Sequence, residues 1–243
     1  VMTLLEIFLL LAGGMPLFDA CIHSFGSAGT GGFSNRNLSV GAYGNAYYEL
    51  VIGVFMLLFG INFNLYYFLM IRRFRDVFHS EELRAYLGIV AAAVLAIAVD
   101  VAHLYDSFAV SLRHAFFQVS SIITTTGFAT VDFNTWPTFS KGILMVLMFV
   151  GACAGSTGGG IKVARMLILG KTALSDMRKM LHPTAVSAVR FEGKPLADQT
   201  VRSVHVFITV YLMVFTVSFL LLCLEGFDLI TTFSALAACI NNV

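Results

Sequence analysis

Thr124-Thr125-Thr126-Gly127-Phe128-Ala129 follows an apolar stretch too short to cross a bilayer, and Gly29-Thr30-Gly31-Gly32-Phe33-Ser34 follows another. Both contain Thr-x-Gly-Phe, and Gly32 and Gly127 stand 95 positions apart. A third apolar stretch, after Asp228, ends in Cys239-Ile240-Asn241-Asn242-Val243, where the next residue of the pattern would fall 117 positions after Gly127. A lone Gly-Phe is a common turn. Two copies at corresponding places, with a third approaching, make an internal repeat, and a repeat governs the fold before any single element does.

The stretches leading into these segments are 16–28, 106–123 and 228–240, each starting at or near an acid, Asp19, Asp106 or Asp228. An acid favours the positive end of a helix dipole. They read as half-helices that enter a membrane and stop inside it, which is tolerated where the non-helical backbone is buried in protein or lines water. Between them, 50–71, 142–161 and 203–224 are free of Asp, Glu, Lys and Arg. Each is long enough for a hydrocarbon core about 30 Å thick. Segment 85–99 spans with its apolar flanks, and 1–15 reads as the tail of a further span, with Glu6 near an interface or against protein. Both chain ends lie in apolar runs, so the sequence reads as a fragment.

Composition agrees. Of 243 residues 58% are hydrophobic and only 12% are charged, about half the charge of a soluble domain. The expected class is an all-α polytopic membrane protein. A net charge of +1 gives no basic face for nucleic acid. The cysteines Cys21, Cys153, Cys223 and Cys239 match neither zinc nor redox spacing and are expected to be buried inert thiols. If each unit returns to the side it entered from, connections 72–84 and 162–202 share one side and hold 12 of the 15 Lys and Arg. The positive-inside rule makes that side cytoplasmic.

A cation leaving water needs close oxygen ligands, and a short loop supplies them when successive carbonyls face one axis. Gly permits the required φ values, and Thr adds a hydroxyl oxygen. Thr125-Thr126-Gly127-Phe128 overlays the Thr-Val-Gly-Tyr of the potassium-channel filter. Ser34 and Ala129 replace its second Gly, and Phe33 and Phe128 lack the tyrosine hydroxyl. A looser outermost site and moderate selectivity over Na⁺ are therefore expected.

Gly151-Ala152-Cys153-Ala154-Gly155-Ser156-Thr157-Gly158-Gly159-Gly160-Ile161-Lys162 carries five glycines in its first ten residues, each costing a helix about 1 kcal/mol relative to Ala. Counted from Lys141, Gly151 lies roughly 15 Å into the membrane, so the inner helix is expected to break just below the filter. The spacing of Gly155 and Gly160 imitates a phosphate-binding P-loop, but Ile161 stands in the lysine position and no strand precedes it.

Together these motifs resemble the Trk/Ktr/HKT superfamily of potassium transporters, in particular the bacterial TrkH-type subunit, over essentially the whole chain. The resemblance implies four repeats of outer helix, re-entrant pore helix, filter loop and inner helix in pseudo-four-fold array around one pore. Residues 1–80 would form one repeat, 81–183 the next with the broken inner helix, and 184–243 the start of a further one. It implies K⁺ at Thr30, Gly31, Gly32, Phe33, Thr125, Thr126, Gly127, Phe128, Asn242 and Val243. Gly155, Ser156, Thr157, Gly158, Gly159 and Gly160 would form a gate. It also implies no organic cofactor, a homodimer in contact with membrane lipid in a bacterial inner membrane, and a cytosolic nucleotide-binding, TrkA-like regulatory subunit.

Arg113, at membrane depth, needs a partner and is expected to brace the filter through Asp100 or Asp106, or to extend outward. His23 and His114 are expected to pack and hydrogen-bond rather than ligate. Asn62 and Asn64 face either the pore or a neighbouring helix. The basic residues Lys171, Arg178, Lys179, Arg190 and Lys194, with His182, fit either lipid headgroups or a cytosolic regulator. An intramembrane enzyme would want paired aspartates or a Ser-His arrangement inside spans, which the sequence lacks. The alternative transporter is an ion-coupled secondary carrier for another monovalent cation.

Overall fold

The computed structural model describes residues 1–182 and 189–243. The expected boundary between the second and third units, at 183/184, lies outside the described residues. Apolar helix α1 (Met2–Ala12) stops at Gly13, and the chain turns through Gly14, at φ +91°, and Pro16 into α2 (Leu17–Ala28). A loop containing a 3₁₀ turn at Ser39–Tyr43 leads to α3 (Ala46–Phe59), started by Asn45, whose side chain accepts from Tyr47 N.

The expected single span over 50–71 is corrected here. Helix α3 ends at Phe59, and α4 (Phe63–Met70) leaves it at 92°. Gly60 closes α3 while Asn62 begins a new helix, its Oδ1 accepting from Asn64 N at 2.9 Å. Hydropathy alone cannot register such a break, because no charge marks it.

After a link through α5 (Phe74–His79), the second unit repeats the order. It runs α6 (Glu81–Asp100), α7 (Phe108–Ile123), a loop, α8 (Thr138–Val150), the non-helical segment 151–162, and α9 (Val163–Leu181). The cap of α7 is Ser107, accepting from Ala109 N at 3.2 Å, in place of the neighbouring acid. A short antiparallel hairpin, β1 (Arg190–Phe191) with β2 (Lys194–Pro195), precedes α10 (Asp198–Leu222) and α11 (Leu229–Asn241). Helices α6 and α10 are long and apolar enough to cross a membrane, and so is the bent α3–α4 pair if counted as one span.

Two apolar clusters hold the units together. One joins Leu10, Ile52, Met56 and Phe117, and the other joins Tyr86, Ile97, Ile123, Leu144 and Cys153. Phe128, from the second unit's loop, is buried in the first unit's cluster. All four thiols are free, but only Cys153 is buried. Cys21 is half-buried, while Cys223 and Cys239 are exposed, which corrects the expectation for them. They sit at the end of α10 and on α11, and α10 buries only Val204 among the described residues.

The two sets of connections separate to opposite ends. Gly41 N donates to Ala129 O at 3.1 Å, joining the loops of units one and two. At the other end Lys171 pairs with Glu81 and Ser80 with Glu192, joining the two basic connections.

Candidate functional site

The three short helices α2, α7 and α11 end alike. Gly31 N reaches back to Gly26 O at 2.9 Å, Thr126 N to Ser121 O at 2.9 Å and Val243 N to Ala238 O at 3.0 Å. This is the six-to-one bond of a Schellman terminus, which needs a left-handed residue just before the donor. That residue is Thr30 at φ 51°, Thr125 at φ 57° and Asn242 at φ 61°. Gly usually takes this place, and a β-branched residue there is an outlier costing on the order of 1–3 kcal/mol. Two residues later Gly32 and Gly127 are again at positive φ, 65° and 86°, while Gly31 and Thr126 between them are not. Alternating the sign of φ turns successive carbonyls to one side of a strand, where a regular strand would turn them to both.

The three loops meet. A β-carbon on Gly32 would collide with the Thr126 carbonyl oxygen, and one on Gly127 would come 3.3 Å from the Val243 carbonyl carbon. Asn242 Nδ2 donates to Thr30 O at 3.4 Å. Neutral backbone oxygens, the negative ends of three helix dipoles and the buried Thr30, Thr125 and Thr126 thus converge on one place. Such a place is electronegative without carrying a formal charge.

Segment 151–162 packs against this place. Thr30 Oγ1 donates to Thr157 O at 3.2 Å, and Gly159 N donates to Thr125 Oγ1 at 2.5 Å. The Asn241 carbonyl lies so close to Gly159 that no side chain fits, and a β-carbon on Gly158 would be 2.9 Å from Thr124 O. The bend between α3 and α4 makes room: Cys153 N donates to Gly60 O at 3.0 Å and Phe63 N to Gly155 O at 3.1 Å. Asn62 lies against Gly155. The two flanks add charge, Glu82 Oε1 accepting from Ala154 N at 2.5 Å and Lys162 Nζ donating to Gly158 O.

Behind the loops, Arg113 meets Glu49 on α3, Nε to Oε2 at 2.9 Å, as an ion pair without hydrogen-bond alignment. Asp100 is instead taken by Ser140 Oγ at 2.6 Å, which corrects the expected partner. Glu49 immediately precedes the charge-free stretch 50–71, on a helix whose facing is not fixed by composition. Its first-turn position was the available signal. His23 bridges Asp19 O at 2.7 Å and Ser34 Oγ at 3.0 Å, and His114 lies 3.4 Å from Thr130 Oγ1, so both act as packing and hydrogen-bonding residues. Outside the membrane segments Asp228 caps α11, accepting from Ile230 N and Thr231 N. The Thr231 hydroxyl, then these amides, hold its carboxyl below the usual range.

Residues 87–243 match the family model TrkH, described as cation transport protein. The chain belongs to the TrkH family of cation transport proteins. It is 40% identical over 234 residues to the Trk system potassium uptake protein TrkG of Escherichia coli K12, covering 95% of this chain and 48% of the relative. It is 36% identical over 233 residues to TrkH of Salmonella typhimurium, with coverages of 95% and 48%. The crystal structure of the potassium transporter TrkH from Vibrio parahaemolyticus superposes with a TM-score of 0.92 at 34% identity, over 99% of this chain and 53% of that one. The chain thus spans about half the length of the relatives it matches. The family is one of transporters rather than enzymes, and the fold is that of a polytopic membrane protein.

Within that fold the structure brings together Thr30, Gly31, Gly32, Thr125, Thr126, Gly127, Asn242 and Val243, with 155–160 beneath them. The two phenylalanines part company. Phe128 is 1% exposed, beside the His23 ring at 5.5 Å, whereas Phe33 is 82% exposed. Sequence reasoning missed Glu49, Glu82 and the Gly60–Asn62 bend. Gly60 and Asn62, a helix stop and a helix start two residues apart, were the legible signal for the bend.

Proposed function

We propose that the complete protein moves potassium across a bacterial inner membrane through a pore whose selectivity filter includes 30–33, 125–128 and 242–243, with 155–160 as its gate. One observation carries this: three helices ending in the same left-handed Schellman turn converge on one spot, with the Thr30 and Thr126 carbonyls turned toward neighbouring loops. Backbone oxygens in a ring replace the hydration shell of an entering cation. The names of the relatives support potassium as that cation. The short, multiply bonded segment 151–162 supports an obstruction that must shift before ions pass. The proposed assembly is a homodimer in lipid, carrying a cytosolic nucleotide-binding regulator on the end where the basic connections gather.

Rubidium and sodium flux through the full-length protein in liposomes tests the filter. Gly127→Ser places a side chain at φ 86° beside Val243, and the rubidium-to-sodium ratio is expected to fall severalfold. An unchanged ratio with normal incorporation would rule out 125–128 as the selecting segment.

A further inference from the structure

We propose that the hairpin at 190–195 sets the position of the glycine-rich segment through Glu192 and Glu82, so that a cytoplasmic event acting on the hairpin reaches the closure beneath the three loops. The proposal rests on reading 151–162 as that closure. Its geometry is a short relay. Glu192 Oε1 accepts from Ser80 Oγ at 2.9 Å and from Glu82 N at 3.2 Å, at the start of α6. The side chain of the same Glu82, 5% exposed, accepts from Ala154 N at 2.5 Å. Ala154 directly follows Cys153, whose amide is fixed to Gly60 O. One residue is therefore held at its backbone by the hairpin and holds the segment with its carboxylate.

The hairpin turn supplies an independent observation. Glu192 at φ 52° and Gly193 at φ 73° are both left-handed. In a two-residue hairpin loop this pair of positions favours Asn-Gly or Asp-Gly. A glutamate in the first position is strained, and an observed strain of this kind points to a use for the side chain. The use on the page is the pair of bonds to Ser80 and Glu82.

A second tether runs to the far flank of the segment. Lys171, on α9, donates to Arg190 O at 2.9 Å, pairs with Glu81 and has its ammonium 5.8 Å from the centre of the Phe191 ring. Helix α9 begins immediately after Lys162, whose ammonium holds the Gly158 carbonyl. The hairpin thus grips α6, whose Glu82 holds Ala154, and α9, which follows the segment, while Glu192 and Lys194 stay exposed at the end where the basic connections gather.

The test uses the full-length protein in liposomes, without added partners. Glu192→Asn suits the turn better than Glu does but is too short to reach Ser80. A merely structural role predicts a neutral or stabilising change. The relay predicts a roughly tenfold higher rubidium flux, the population shift expected on losing a bond to a charged acceptor, with the rubidium-to-sodium ratio unchanged. Glu82→Ala is expected to raise flux as well, and adding Glu192→Asn to it to give no further rise, since both act on one path. Glu82→Gln, which keeps an acceptor for Ala154 N, is expected to stay close to wild type. Wild-type flux in Glu192→Asn, or full additivity in the double variant, would overturn the relay. Deleting 158–160 separates the two claims. If the deletion raises flux and Glu192→Asn does not, the relay alone fails. If neither does, the closure reading fails with it. Should the deleted protein not incorporate, labelling of Thr157→Cys by an impermeant thiol reagent, in a background lacking the native cysteines, gives the same answer. Faster labelling in Glu192→Asn supports the relay, and equal rates overturn it.

Discussion

Thr30 and Thr125 accept left-handed backbone that Gly would adopt without strain, and in return each hydroxyl bonds the segment beneath it. The strain and the bond make opposite demands on a substitution. Thr125→Gly is expected to leave thermal stability little changed, since relief of the backbone offsets the lost bond to Gly159, while rubidium flux rises. A matched melting and flux measurement checks both halves. Gly159→Ala has no such compensation, because its β-carbon meets the Asn241 carbonyl, so a lower melting temperature is expected together with higher flux. At the exposed start of α11, Asp228 has a depressed pKa from its hydrogen bonds. Its contribution is therefore present above the ordinary carboxylate value, about 3.9, and lost as pH falls through the lower folded value. Asp228→Asn, still a capping residue, is expected to flatten the acid limb of a melting-temperature profile.

Elements were legible in the sequence where a single signal decided them. The three half-helices, α6 and the break after Val150 follow from length, charge-free windows and glycine content. The α3–α4 bend did not, because the tertiary seat of another segment fixes it: Gly60 and Phe63 are turned so that their backbone groups meet Cys153 and Gly155. Likewise the need of Arg113 for a partner was legible but the identity of Glu49 was not. The pairing depends on which faces of α3 and α7 meet. The partner matters energetically, since Glu49 is 4% exposed while Arg113 is one-third exposed, and removing the arginine leaves a buried carboxyl without its cation. Arg113→Gln is expected to cost about 1–3 kcal/mol, and pairing it with Glu49→Gln to recover part of that. Chemical denaturation of the four proteins in a double-mutant cycle measures the coupling.

At the scale of the whole molecule, each unit is completed by the next. Phe128 fills the first unit's cluster, and Val243 lies against the second's. The site was legible as a repeat because equivalent positions, 30, 125 and 242, share backbone geometry as well as spacing. What lay beneath them was legible as glycine content but not as a set of contacts, since those link residues far apart in sequence. The proposed orientation predicts that an impermeant amine reagent applied from the cytoplasmic side labels Lys194 and spares Lys141. The reverse pattern would invert the topology.

The seat of the glycine-rich segment also has a timetable. Its contacts with the Gly60 carbonyl and the Thr125 hydroxyl are with residues synthesised before it, but the carbonyl opposite Gly159 belongs to Asn241, which leaves the ribosome 82 residues later. Domains emerge and begin folding from the N-terminus, so on the proposed pore reading the first two units are completed only when the third arrives. A chain truncated before α11 is then expected to insert yet leak, which rubidium flux through the truncated protein checks.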